Sequence, residues 1–175
     1  MKNTSTIFPA ETKYRSFEDL EVYKVAREFR IKMYRIAKGL PDFEKFGFAS
    51  QMRRAAVSLT NNLAEGHGRF HFLDQIRFTL IARGSLEELL DDLNICLDEK
   101  YLSESDVGQH KSSGWHLLKL TNGWLRYLRD RKFGTSLALH EPSAADADDS
   151  LEWLDALLEE HPGLMPPRIE SPVRY

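Results

Sequence analysis

Apolar residues recur at three- and four-residue steps through four long stretches of this chain, and no run alternates like a strand. The first stretch opens at Ser16, an N-cap with Asp19 three residues on in capping-box position. It carries Phe17, Leu20, Val25, Ala26, Phe29, Met33, Ile36 and Ala37, and ends at Gly39-Leu40-Pro41. The second starts from Asp42 as cap, passes a soft spot at Gly47 and runs to Gly66 and Gly68. The third covers about Phe72 to Lys100. The fourth starts at Ser103, again with a capping-box pattern, and ends near Lys132; its stripe is Val107, Trp115, Leu117, Leu118, Leu120, Trp124, Leu125 and Leu128. Short links between long helices favour antiparallel neighbours, so the spacing predicts an all-α, antiparallel up-down-up-down four-helix bundle over residues 16–132.

Outside the bundle the pattern fails. Residues 1–15 form a polar N-terminal tail without the apolar centre of a secretory signal. From Phe133 to His161 there is no Lys or Arg, against Glu141, Asp146, Asp148, Asp149, Glu152, Asp155, Glu159 and Glu160. Residues 133–175 are therefore expected to be an acidic, largely irregular extension, broken by prolines, with one short amphipathic helix at 150–160 built on Leu151, Trp153, Leu154, Leu157 and Leu158. Such a helix could dock on a neighbouring subunit or recognise a protein partner. The net charge of -3 thus hides a mildly basic bundle with an acidic tail. No apolar run reaches the roughly 18 residues of a membrane span, and the single Cys96 allows no internal disulfide. A cytoplasmic protein is the expectation.

The second helix carries an unusual stripe. Gln51, Arg54, Ser58, Asn62, Glu65 and Arg69 fall within an arc of roughly 80° beside the apolar face of Phe48, Met52, Ala55, Ala56, Leu59 and Leu63. A solvated face is mostly Lys and Glu, whereas this one holds directional hydrogen-bonding groups. Two readings are open. The stripe lines a nucleic-acid or ligand groove, with Arg53, Arg54 and Arg69 on phosphates; or it is a polar seam between helices or subunits that fixes register, with Arg54 paired to Glu87 or Glu88 of the third helix and close approach allowed by Gly84 and Ser85. The second reading puts Gln51, Arg54, Ser58, Asn62, Glu65, Ser85 and Glu88 in the seam.

The segments Phe17-Glu18-Asp19-Leu20, Gln51-Met52-Arg53-Arg54-Ala55, Asn62-Leu63-Ala64-Glu65-Gly66 and Ile81-Ala82-Arg83-Gly84-Ser85-Leu86-Glu87-Glu88-Leu89 carry a resemblance. In order and spacing, over about Tyr14 to Leu128, the chain resembles the four-helix bundle family named for proteins encoded in intervening sequences of bacterial 23S ribosomal RNA genes. The resemblance implies a bundle protomer and a homopentameric ring. It also implies kinship in fold with the accessory protein of diversity-generating retroelements, a basic pentamer that binds nucleic acid and reverse transcriptase. Two departures stand out: Asp91 and Asp92 make the third helix acidic, and the tail from Phe133 lies outside the pattern.

Enzyme chemistry is not expected. His67 and His71 are four apart, but Gly66 and Gly68 are expected to break the helix between them, and no third metal ligand lies nearby. Glu87 and Glu88 point about 100° apart on a helix, poor geometry for paired carboxylates. Gly66-His67-Gly68-Arg69 lacks the strand and the Lys-Ser/Thr ending of a phosphate loop. No catalytic residue, metal or cofactor is assigned. Basic residues close the fourth helix at Arg126, Arg129, Arg131 and Lys132, either as cations complementing its macrodipole or as a phosphate patch repeated around a ring. The leading expectation is an oligomeric RNA- or DNA-binding module contacting backbone through Arg53, Arg69, Arg126, Arg129, Arg131 and Lys132. The alternative is a protein adaptor acting through the acidic helix.

Overall fold

The computed structural model describes residues 16–132, 156–157 and 159–161. The N-terminal tail and most of the expected acidic extension lie outside the described residues. Within them the chain is all helical, with no strand. Four helices, α1 (Glu21–Gly39), α2 (Phe48–His67), α3 (Phe72–Asp98) and α4 (Glu104–Lys132), pack in succession, and α4 also packs on α1.

The start of α1 differs from the sequence expectation. Ser16 does form the capping box: its Oγ accepts from the Glu18 N–H and the Asp19 carboxylate accepts from the Ser16 N–H, both at 3.1 Å. It caps only a 3-10 turn at Phe17–Asp19, and α1 begins five residues later. The kink at Leu20 buries that leucine and sets the Phe17 ring edge-on to Tyr23 at 4.8 Å. Apolar burial overrides continuous helix here. Asp42 likewise opens a 3-10 turn, and α2 waits until Phe48, whose N–H donates to the Glu44 carboxylate at 3.3 Å. The other Glu44 oxygen accepts from the Tyr101 hydroxyl at 3.0 Å, tying the α1–α2 link to the α3–α4 link. Ser103 caps α4 as expected, accepting from the Asp106 N–H at 3.1 Å.

Gly66 does not break α2. The helix continues through it to His67 and is capped by Gly68. A Cβ at Gly66 would sit 3.0 Å from the Phe78 Cβ and 3.4 Å from the Gln75 carbonyl, so this glycine serves close approach of α3 rather than termination. His67 then ends α2 while His71 precedes α3, so the two share no helical face.

The main core joins Ala26, Phe29 and Met33 of α1, Met52, Ala56, Leu59 and Leu63 of α2, Leu86, Leu89 and Leu93 of α3, and Leu117 of α4. Trp115 is the exception to the predicted stripe: it is 48% exposed, and Gly114 beside it faces inward instead. A second cluster lies where the start of α3 meets the end of α4. There Ile76, Leu125 and Leu128 enclose Leu157, which is only 4% exposed and is flanked by helical residues of the acidic segment.

Gly114 is where α4 comes closest to its neighbours: an added Cβ would lie 2.5 Å from Leu90 Cδ2 and 3.2 Å from Phe29 Cζ. Gly108, one helical turn and a half earlier, has nothing within 4 Å. Opposite outcomes follow in chemical denaturation. Gly108→Ala is expected to stabilise by about 0.5–1 kcal/mol through helix propensity, and Gly114→Val to destabilise by about 2 kcal/mol or more through overpacking.

Candidate nucleic-acid interface

α2 divides its surface three ways. Met52, Ala55, Ala56, Leu59 and Leu63 are buried in the core. A second face meets α3 through a pair of hydroxyls: the Ser85 Oγ–H donates to Ser58 Oγ at 2.8 Å, and within α2 the Asn62 amide braces Ser58 by donating to its carbonyl at 2.8 Å and to its Oγ at 3.1 Å. Ser85 is buried, so this short polar seam is satisfied within the protomer. The rest of the predicted stripe lies outside it. Gln51, Arg54, Glu65 and Glu88 are exposed. Arg54 is not brought to either glutamate: Glu87 pairs instead with Arg83 at 3.3 Å, one turn back on its own helix. Arg83 also donates to the buried Asn122 of α4 at 3.1 Å, a cross-helix bond absent from the sequence reading. Gly84 is exposed with nothing within 4 Å of an added Cβ, so of these two small residues it is Ser85, and not Gly84, that packs against a neighbouring helix.

The third face of α2 looks outward beside α1, and here the structure gathers positive charge. An open hollow of about 590 Å³ is lined by Arg30, Ile31, Tyr34, Arg35 and Lys38 of α1 with Val57 and Asn61 of α2. A second, of about 350 Å³, adjoins it and is lined by Tyr34, Ser50, Arg53, Arg54, Val57 and Ser58. Tyr34 and Val57 belong to both, so the two form one continuous groove along α1 and α2. Five cations line it and no carboxylate does. Two are held in place: Arg30 donates to the buried Thr60 hydroxyl at 2.9 Å, and Arg53 donates to the Lys45 carbonyl at 3.0 Å. Arg35, Lys38 and Arg54 are exposed. An aromatic ring among fixed and exposed cations offers both phosphate contacts and a platform for stacking a base.

Sequence reasoning found Arg53 and Arg54 and missed Arg30, Tyr34, Arg35 and Lys38. A signal was present. From Phe29 to Pro41 there are Arg30, Lys32, Arg35 and Lys38 with no acid, and from Phe48 to Ala64 the only charges are Arg53 and Arg54.

The other candidate phosphate contacts are placed elsewhere. Arg69, at the far end of α2, is ion-paired to Glu65 and lies over the Phe78 ring at 4.6 Å. At the end of α4, Arg126 and Arg129 are half-buried, and Arg129 pairs with Asp130 at 2.7 Å. Leu157 of the acidic segment packs on Leu125 and Leu128, the immediate neighbours of these arginines. The Arg131 and Lys132 side chains lie outside the described residues.

α3 carries the opposite charge. The half-buried Asp92 carboxyl is pushed up to about 6, first by burial and then by Glu88 and Asp91. Cys96, one turn on, is fully buried and its thiol is pushed up to about 11, chiefly by burial and then by Asp92, which makes it a core residue and not a nucleophile. Among the described residues no cluster of His, Cys, Asp and Glu has the makings of a metal site, and no helix is long and apolar enough to cross a membrane.

The model of the 23S rRNA-intervening sequence protein family matches residues 18–123. No curated protein matches the chain. The match contains the whole α1–α2 groove and stops before Arg126.

Asp92 gives a pH test of this charge distribution. Its folded value lies above the unfolded one, so the folded state binds the extra proton between about pH 4 and 6. The contribution to stability is therefore full below pH 4 and is lost as pH rises through 6. Asp92→Asn is expected to raise stability at pH 8 by about 1 kcal/mol, allowing for solvent screening, and to leave it unchanged at pH 4, as read from urea midpoints at both values.

Proposed function

The chain belongs to the 23S rRNA-intervening sequence protein family, and from that premise we propose that it is a non-enzymatic, oligomeric nucleic-acid-binding protein. The α1–α2 groove is its phosphate-contacting surface. The observation that carries this reading is the carboxylate-free lining of Arg30, Arg35, Lys38, Arg53 and Arg54 around Tyr34. Cations of this kind neutralise backbone phosphates and release counterions, while a single aromatic adds stacking without a base code. Binding is then tight at low salt, steeply salt-dependent and weakly sequence-selective. The acidic α3 turns the ligand away from the other side of α2 by like-charge repulsion.

The protomer is read as an up-down-up-down bundle of antiparallel helices with an acidic C-terminal extension. Pairings such as Ser58 with Ser85 and Gly66 with Phe78, in which later residues of one helix meet earlier residues of the next, support this topology. Arg83 with Asn122 and Asn94 with Lys111 support it between α3 and α4. Assembly into a ring multiplies a groove that is modest on one chain. Phe43, Phe46 and Phe70, exposed to 76%, 86% and 97% in the links at the two ends of α2, are apolar enough to support contact between copies. The adaptor reading, which uses the acidic helix as bait, is disfavoured by Leu157, since the described part of that segment already spends its apolar anchor on its own bundle.

Fluorescence anisotropy with a labelled 30-nucleotide RNA over 50–300 mM NaCl, with the mass taken by light scattering in the same buffer, tests both parts. Expected are a mass that is a multiple of 20.2 kDa and affinity that falls linearly on a log–log salt plot. Arg35→Glu/Lys38→Glu/Arg54→Glu lowers affinity at least tenfold and reduces the slope by about 2 to 3. An affinity indifferent to salt, or to that triple change, rules the reading out.

A further inference from the structure

On the other side of α1, away from α2, lies a hollow of about 250 Å³ that the nucleic-acid reading does not use. It sits where the end of α1 meets the α3–α4 link and the first turns of α4. Its floor is apolar, made by Ile36, Leu40 and Leu102 with Tyr101, and its rim carries Lys32, Arg35 and His110. The lining is mostly apolar and its two charged side chains, Lys32 and Arg35, are both cations, the composition of a small-molecule site that would take one negative group. Lys32 is already oriented, its Nζ donating to the Ser113 hydroxyl at 3.1 Å. The Tyr101 ring is fixed by its hydroxyl bond to Glu44. Burial pushes the His110 imidazole down, with Lys32 adding to the effect and Asp106 opposing it, so at neutral pH it offers a hydrogen bond and not a charge.

We propose that this hollow binds a small organic anion, a carboxylate or phosphate carried on a compact apolar or aromatic body. The anionic end lies at Lys32 and Arg35, one to two turns back from the carbonyl end of α1, whose negative dipole is felt only within the last turn. The apolar body lies over Ile36 and Leu102 and is removed from water there. No carboxylate lines the hollow; of those nearby, Glu44 accepts from Tyr101, Asp106 accepts from Ser103 at 2.7 Å while also acting on His110, and Glu99 acts on Tyr101. The site stands independently of the nucleic-acid groove, although Arg35 lies between the two and borders both.

Two further residues make the idea testable. Gly39 lines the hollow and an added Cβ there meets nothing within 4 Å, so a large side chain can grow into the space from the end of a helix. Lys32 belongs to this hollow and lines neither half of the groove, so its loss separates the two sites. The experiment is isothermal titration of the full chain with 4-phenylbutyrate and phenyl phosphate, with 4-phenylbutanol as neutral counterpart. Saturable binding is expected for at least one anion, about tenfold tighter than the alcohol, the equivalent of one good charge-assisted hydrogen bond. Lys32→Met should weaken the anion at least threefold with the alcohol unchanged, Arg35 remaining to hold part of the preference, while leaving RNA binding within twofold, and Gly39→Trp should abolish binding of both. Helix content and mass are checked by circular dichroism and light scattering. Absence of saturable binding by either anion, equal affinity for anion and alcohol, or anion binding unmoved in a folded Lys32→Met chain overturns the proposal. If RNA binding fails but the anion still binds in a Lys32-dependent way, the groove reading falls and this one stands.

Discussion

The architecture depends on how closely α2 approaches α3. Gly66 gives up its side chain so that the Phe78 Cβ can sit beside its backbone, and Ser85 closes the middle of the contact with a hydrogen bond to Ser58, which Asn62 holds in place from within α2. A hydrocarbon interface tolerates sliding, since apolar contacts are non-directional. A buried hydroxyl that loses its partner costs about 1–3 kcal/mol, so the seam fixes one register. Arg83 does the same between α3 and α4 through Asn122. The quoted sequence segments therefore hold register-setting groups among the apolar positions that fill the core.

One face of α2 is committed to α3 and another to the core, which leaves the third for its two arginines. Arg53 and Arg54 are turned towards α1, and α1 brings Arg30, Arg35 and Lys38 to meet them. Negative charge collects on α3, where Asp92 is held near half-protonation at pH 6. Packing, and not net charge, makes the bundle two-sided. A protein with a formal charge of -3 can in this way present a locally cationic groove.

Much of the helical architecture was legible in the sequence. Periodicity located all four helices, and Ser103 marked the start of α4 within a residue. The starts of α1 and α2 were not legible, because Ser16 and Asp42 cap 3-10 turns as well as they would cap helices. The choice was made by burial of Leu20 and by the Glu44 side chain reaching Phe48. Gly66 looked like a helix stop because a glycine needed for close approach is indistinguishable, in one sequence, from one needed for chain reversal. The stripe on α2 is visible in the sequence, where periodicity alone makes it one surface. The structure divides it into a buried centre and exposed ends, a distinction that depends on where α3 lies. The groove itself is only half visible in the sequence, since it joins residues from two helices and which face of α1 meets Arg53 and Arg54 depends on how the helices pack.

Tyr34 and its surrounding cations are the place where nucleic acid is proposed to lie. Photocrosslinking with 4-thiouridine RNA, followed by peptide mapping, tests that location without altering the protein. Crosslinks concentrated at Tyr34 and in the peptides spanning residues 30–38 and 50–61 are the predicted result. Crosslinks confined to the end of α4 or to α3, with the groove unlabelled at saturating RNA, would contradict it.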